Sequence, residues 1–418
     1  MLLFQRRHFI LFAIVFANFL GATVVTPILP LYARREFDAS PDTITLLLAS
    51  FFVAQFLAAP VLGRLSDRYG RLPILVISQI GTCLSFVILA SAGSIPMLFA
   101  GRILDGITGG NVIVAQAYVT DITPREKRTQ GLGLIFAAFG LGYMIGPGLG
   151  GLIAAVANEH ATIWVGAACS LATVILTVLF LDESLPAEQR RARTARTSMR
   201  AATVLGNSAL LLCLLIGFAA QASIALLQGT ISLYADSTLF AGQSRSAVNL
   251  GVGLMLTGIG VGQFITQIAF LRPLIRRFGE RRLVIIGAFL RGLGILSVVF
   301  FGSPVLVGAV SLVLVAVASG IMMPSLQSLT TTTASEDISG GVLGVYNASV
   351  TLGLITGTYL GGVLYRLEPG LPFIVGGLLL WATMPFGLML YRRTHSPSER
   401  APAPPGRAAH EPAAQGAD

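Results

Sequence analysis

Twelve stretches of this chain are each long and apolar enough to cross a lipid bilayer: about 9–32, 44–63, 73–93, 96–120, 130–156, 161–181, 207–235, 247–271, 283–302, 304–329, 340–365 and 371–391. About twenty helical residues span a bilayer core of roughly 30 Å. No water reaches the backbone there, so each run has to satisfy its own amides, as a helix. The fold class that follows is an all-α membrane protein with twelve transmembrane helices. Composition agrees: 11% of the residues are charged, against roughly 25% in soluble domains.

The net charge of +9 invites a nucleic-acid partner, but its placement argues against one. With the N-terminus inside, 22 of the 28 Lys and Arg residues fall on inner segments. Only Arg34, Arg35, Arg245 and Arg366 fall on outer loops, and Arg102 and Arg291 lie within runs. The positive-inside rule then places both termini in the cytoplasm of a multi-pass inner-membrane protein. The outer loop at Arg34–Asp38 reads as a solvated turn. Arg6-Arg7 before the first run faintly resembles an export signal, but that run is too long and lacks a small-residue cleavage site, so it is expected to be retained. Cys83, Cys169 and Cys213 all lie in apolar runs and read as packing residues. No His lies in the membrane core, and no metal cluster, nucleophile set or phosphate loop is visible; the chain is not expected to be an enzyme or to carry a cofactor or metal.

Between the second and third runs lies a charged elbow, Gly63-Arg64-Leu65-Ser66-Asp67-Arg68-Tyr69-Gly70-Arg71. Gly63 would admit a close helix, Gly70 a turn that other residues resist, and Asp67 a charge able to face a helix N-terminus. A plain positive loop is the bland reading. The spacing G-x-L-x-D-R-x-G-R resembles the loop between helices 2 and 3 of major facilitator superfamily transporters. That resemblance implies a cytoplasmic gate of Gly63, Asp67, Arg68, Gly70, Arg71 and Asp121. Asp67 is expected near residues 339–341 when the inner side closes, with Arg68 or Arg71 paired to Asp121.

The chain repeats itself. A shift of 211 residues lays Gly109 on Gly320, Gln116 on Gln327, Gly142 on Gly353, Gly146 on Gly357 and Gly150-Gly151 on Gly361-Gly362. A shift of 209 lays the elbow on Arg276-Arg277-Phe278-Gly279-Glu280. Parallel six-helix halves related by an axis along the membrane normal are how this transporter class is built. The expected divisions are an N-terminal bundle (1–181), a cytoplasmic linker (182–206), a C-terminal bundle (207–392) and a disordered cytoplasmic tail (393–418). The repeat breaks where the charge lies, since Arg102 and Asp105 fall on Val313 and Ala316.

Arg102 and Asp105, three apart, share one face of the fourth run with Gly109 and Gln116. Charges inside a span usually face the bundle interior or a wet cavity. Burial favours the neutral carboxyl and Arg102 the charged one, opposed influences that suit a group cycling a proton. A fixed ion pair bracing the helix is the bland alternative. With Ala117-Tyr118-Val119-Thr120-Asp121-Ile122-Thr123-Pro124, the run is similar to the tetracycline-efflux-related branch of drug/proton antiporters. Those relatives carry an acid nine positions before their first paired proline; here Pro27 gives Asn18, which is neutral, shifting proton coupling toward Asp105.

The fifth run holds Gly142, Gly146, Pro147, Gly150 and Gly151 in a G-x-x-x-G-P-x-x-G-G pattern, which resembles the superfamily's antiporter motif. Its groove Gly142–Gly146–Gly150 is expected to meet the eighth run, at Gly251, Gly253, Gly258, Gly260 and Gly262, across the two halves. Asn18, Gln116, Tyr143, Gln221, Gln228 and Gln327 are candidate cavity residues; ordinary interhelical hydrogen bonding explains them equally well. Arg291 shares a stripe with Gly287 and Gly294 and is expected to face protein, with snorkelling as the alternative.

These readings converge on a proton-coupled efflux antiporter of the superfamily, monomeric, moving a drug or lipophilic small molecule against protons by alternating access. A facilitator or symporter for a polar solute such as a sugar is the alternative within transport. A non-transporting membrane sensor is a third class, without the added soluble domain such a role typically needs.

Overall fold

The computed structural model describes residues 2–109, 111–124, 127–185, 207–332 and 339–393. Regular structure among them is helical throughout. We call the side from which the first helix starts the near side and the other the far side. The crossings are α1 (Arg7–Phe37), α2 (Pro41–Tyr69), α3 (Arg71–Ala90), α4 (Ile95–Ile122), α5 (Arg128–Val156), α6 (Glu159–Phe180), α7 (Ser208–Leu239), α8 (from Arg245), α9 (ending at Phe300), α10 (Pro304–Thr331), α11 (Ser339–Leu367) and α12 (Leu371–Leu390). The stretch Arg245–Phe300 is helical without a gap, yet it makes two crossings, because Gly279 (φ 73°, ψ 155°) reverses the chain inside it.

Gly279 repeats a device used at the elbow. Gly70, its counterpart at the 209-residue shift, has φ 109° and ψ 159°. Both values lie where a Cβ is strained, so these two near-side reversals, α2 to α3 and α8 to α9, are each made at one glycine without a loop. Three of the far-side starts use polar caps: Ser40 accepts from Thr43 N, Asn158 from Ala161 N and Ser244 from Ala247 N. In α1 the helix breaks at Thr26–Ile28 and restarts with Pro30 in its first turn, as expected of a proline-bearing, bent span.

Helices α1–α6 form one bundle and α7–α12 the other, with α5 packed on α8 and α2 on α11 between them. The glycines show how the bundles are built. Cβ atoms at Gly142, Gly146 and Gly150 would run into Phe19, Thr23 and Val24 of α1. Their repeats Gly353, Gly357 and Gly361 lie in the same way against Phe218, Ala222, Leu226 and Thr230 of α7. The stripe expected to meet α8 therefore binds the first helix of its own bundle. Residue α5–α8 contact comes from the opposite face of α5, where Gly148 meets Thr257, Gly151 meets Asn249 and Gly253, and the backbone at Tyr143 and Met144 meets Gly260. Of the α8 glycines expected there, Gly251 faces Phe240, Gly262 faces Ala316 and Gly258 faces open space. In a 3.6-residue helix Gly150 and Gly151 point about 100° apart, so one glycine serves the bundle and the next serves the seam. Gly361-Gly362 divides the work identically, with Gly362 against Pro41, Asp42 and Thr45 of α2.

The seam is tight on the far side. There Thr45 Oγ1 donates to the Tyr359 carbonyl at 3.4 Å, and Asn249 Nδ2 to the Ala154 carbonyl at 3.4 Å. On the near side, Gly63, Gly133 and Gly344 have open space where a Cβ would sit. The close helix expected at Gly63 is not made in this far-closed arrangement.

Candidate functional site

A cavity of about 300 Å³ lies at mid-membrane between the bundles. Helix α1 contributes Asn18, Thr23 and Thr26; α2 contributes Phe51, Phe52 and Gln55; α4 contributes Arg102 and Asp105. Thr82 of α3, Tyr143 of α5, Gln228 of α7 and Thr358 of α11 complete its polar lining. A larger recess of about 990 Å³ between α2, α4 and α11 is lined almost wholly by aliphatic residues and holds no charged group. The smaller cavity is the candidate site because apolar wall and a few convergent polar groups coincide there.

The charged pair anchors it. Arg102 Nη1 lies 3.0 Å from Asp105 Oδ2, with the two side chains 14% and 6% exposed. The guanidinium stacks over the Phe51 ring at 4.4 Å from its centroid. Its Nε makes no hydrogen bond. Just beyond Asp105 the helix breaks at Gly109, and Gln55 Nε2 donates to the freed Gly109 carbonyl at 3.1 Å. Across the cavity, Gln228 Nε2 donates to Tyr143 Oη at 2.6 Å, joining the bundles.

Six cavity residues were candidates from the sequence, and the cavity takes up Asn18, Tyr143 and Gln228. Gln116, Gln221 and Gln327 lie outside it. Gln221 follows the same α7 stripe as Gln228 but sits two turns nearer the near side, and Gln116 lies two turns beyond Gly109 along α4. Gln55, Phe51 and Thr358 were not singled out. A lone Gln in the apolar α2 was the one available signal for Gln55.

The near-side elbow forms a second polar cluster around Arg71, which is 4% exposed. Its Nε donates to Asp121 Oδ2 at 3.0 Å, Nη1 to Ser66 Oγ at 2.6 Å and Nη2 to Asp67 Oδ1 at 2.6 Å. Between the two arginines considered, Arg71 is thus the partner of Asp121, while Arg68 stacks on Tyr69. Glu183 accepts from the backbone N–H groups of Arg71 and Leu72 at 2.9 and 3.2 Å, placing a carboxylate on the positive end of α3. The expected approach of Asp67 to residues 339–341 concerns side chains outside the described ones.

Two arginines differ from a plain reading. Arg291 is 1% exposed within the C-terminal bundle, with Nε and Nη1 unbonded, so it faces protein and does not snorkel. Arg35, expected in a solvated turn, is 9% exposed and ion-paired to Glu159 at 2.5 Å and to Asp236 at 2.7 Å. Sequence reasoning missed it because its partners lie 124 and 201 residues away.

The profile of the Major Facilitator Superfamily matches residues 11–247 and 230–415. The chain belongs to that superfamily. Among its relatives, the class C tetracycline resistance protein of Escherichia coli is 31% identical over 376 residues, covering 87% of this chain and 92% of the relative. Multidrug resistance protein 2 of Bacillus subtilis is 26% identical, covering 90% and 93%. The crystal structure of the human organic anion transporter TETRAN superposes with a TM-score of 0.65 at 22% identity, covering 92% and 99%. At that identity the likeness concerns the fold. The superfamily chain is a multi-pass membrane transporter of small molecules, not an enzyme, and its twelve crossings in two pseudo-symmetric bundles are the superfamily's architecture.

Proposed function

We propose that this superfamily member is a proton-coupled efflux antiporter for drugs or small lipophilic metabolites, a monomer working by alternating access. The observation that carries the reading is Asp105, a carboxylate paired to Arg102 on the wall of the cavity between the bundles. A buried carboxylate in contact with a cavity alternates between dry and wet surroundings as the bundles rock, and that alternation changes its hold on a proton. With Asn18 uncharged in the same cavity, the pair supplies the titrating group. The apolar rings of Phe19, Phe51 and Phe52 suit a lipophilic body, and Gln55, Tyr143 and Gln228 its polar edge. The tetracycline and multidrug resistance relatives support the direction of transport.

In this reading the near side is cytoplasmic, both termini lie there, and the membrane is the inner cell membrane, in keeping with the arginine-rich near-side segments. The bundles comprise 1–181 and 207–392, joined by the linker 182–206 and followed by a tail at 393–418. Residues 186–206 and 394–418 fall outside the described ones. The Arg71 cluster with Asp67, Arg68, Gly70 and Asp121 serves as the cytoplasmic gate, which Gly63 joins when that side closes. The test is drug efflux from proteoliposomes energised only by a pH difference, with wild type beside Asp105→Asn. Wild type accumulates drug against its gradient and the variant does not; equal pumping by both defeats the reading.

A further inference from the structure

Four arginines break the positive-inside pattern, and the fold gives three of them one occupation. Arg35 of α1 bonds Asp236 of α7 at 2.7 Å; Arg366 of α11 lies 3.5 Å from Asp42 of α2; Arg245 of α8 lies 4.0 Å from Glu36 of α1. Each pair joins one bundle to the other at the far end of the seam. We propose that these pairs form the latch that holds the far side shut, with Arg35 as its keystone.

The three pairs are not equal. Arg245 and Arg366 are 68% and 60% exposed, where water and salt screen a charge and leave little net attraction. The Arg35 and Glu159 side chains are 9% and 10% exposed. Around that guanidinium, Nη1 donates to Glu159 Oε1 and to Asn249 Oδ1 at 2.9 Å, while Nη2 donates to Asp236 Oδ1. Asn249 in turn donates through Nδ2 to Glu159 Oε1 at 3.0 Å, so four helices meet on one cation. The backbone allows it: Gly151 has no Cβ to hold off the Asn249 carbonyl, and α8 comes close enough for the Asn249 amide to bond both Arg35 and Glu159 beside their direct contact.

The arrangement is also breakable. Glu159 belongs to the same bundle as Arg35 and remains its partner when the seam parts, so opening leaves no bare arginine. Asp236, 25% exposed, returns to water at the mouth. The latch therefore biases the far-closed state without locking it, which a transporter that alternates requires.

This inference rests on the alternating-access reading but not on protons or drugs, and its test uses neither. Spin labels at Ser94→Cys and Ser303→Cys, in the full chain with its three native cysteines replaced by serine, report the far-side distance between bundles. Arg35→Gln raises the ratio of long to short distances at least ~10-fold. Asp236→Asn shifts it in the same direction, and the double variant goes no further than Arg35→Gln alone, because removing the guanidinium already removes its bond to Asp236. Arg245→Gln and Arg366→Gln shift it less than ~3-fold. Unchanged distances in both Arg35→Gln and Asp236→Asn overturn the proposal, as does additivity or an equal effect from the exposed pairs. Should Arg35→Gln fail to fold, Asp236→Asn alone decides. Shifted distances in these variants, beside a wild type that does not pump drug on a pH difference alone, sustain the latch while defeating the antiporter reading.

Discussion

Gln228 Nε2 and Tyr143 Oη are 2.6 Å apart, a hydrogen bond between the two bundles made in the wall of the cavity they share. Tyr143→Phe keeps the ring and leaves the Gln228 amide without this partner. A buried bond of this kind is worth about 1 kcal/mol, so substrate affinity falls roughly five-fold. Gln228→Ala does the same, and the double variant adds little. Ligand titration of the purified protein checks this; fully additive losses would mean that the two residues act separately.

Asp105→Asn preserves size and hydrogen bonding but cannot exchange a proton. Drug binding persists within about two-fold, while substrate-induced proton release and uphill efflux disappear. Proton release is read with a pH dye in weakly buffered detergent solution. Release at the wild-type level would move the coupling group elsewhere.

Adjacent glycines of α5 have opposite assignments. Gly150→Leu drives a side chain into the Val24 backbone of α1, inside one bundle, and costs about 3 kcal/mol of stability. Gly151→Leu meets α8 across the seam, leaves the bundle folded, and hinders far-side closure. Melting curves in detergent separate them: a large fall for Gly150→Leu and a small one for Gly151→Leu, whose defect shows in the inter-bundle distances instead.

At the near-side elbow, Asp121→Asn weakens a charge-assisted bond to a buried arginine, and stability drops by about 2 kcal/mol. Asp67, 30% exposed, contributes less than ~1 kcal/mol to folding, so Asp67→Asn melts close to wild type. Its loss is expected in transport rate, through the gate. The reverse order of melting temperatures would show that Asp67, not Asp121, holds Arg71.

The sequence alone determined the class of this protein. Run length and polarity specify helices in a bilayer, because an unpaired amide has no partner there, and twelve runs need no tertiary information to be counted. The internal repeat announced two like bundles, and the elbow glycine announced a reversal that the structure makes at both Gly70 and Gly279. Arg102 and Asp105 were legible as a pair because three residues of helix suffice to bring them together. What tertiary structure decided is which neighbour each helix face meets. A glycine stripe shows that something comes close, but the Gly142–Gly146–Gly150 face met α1 while α8 took the opposite one. Gln221 and Gln228 share a stripe, yet depth in the membrane admits only Gln228 to the cavity. Arg35 looked like loop charge, since Glu159, Asp236 and Asn249 come from three helices distant in the chain. Local spacing encodes what shares a turn of helix; a contact between bundles exists only once both have packed, and the state of the seam decides whether it is made.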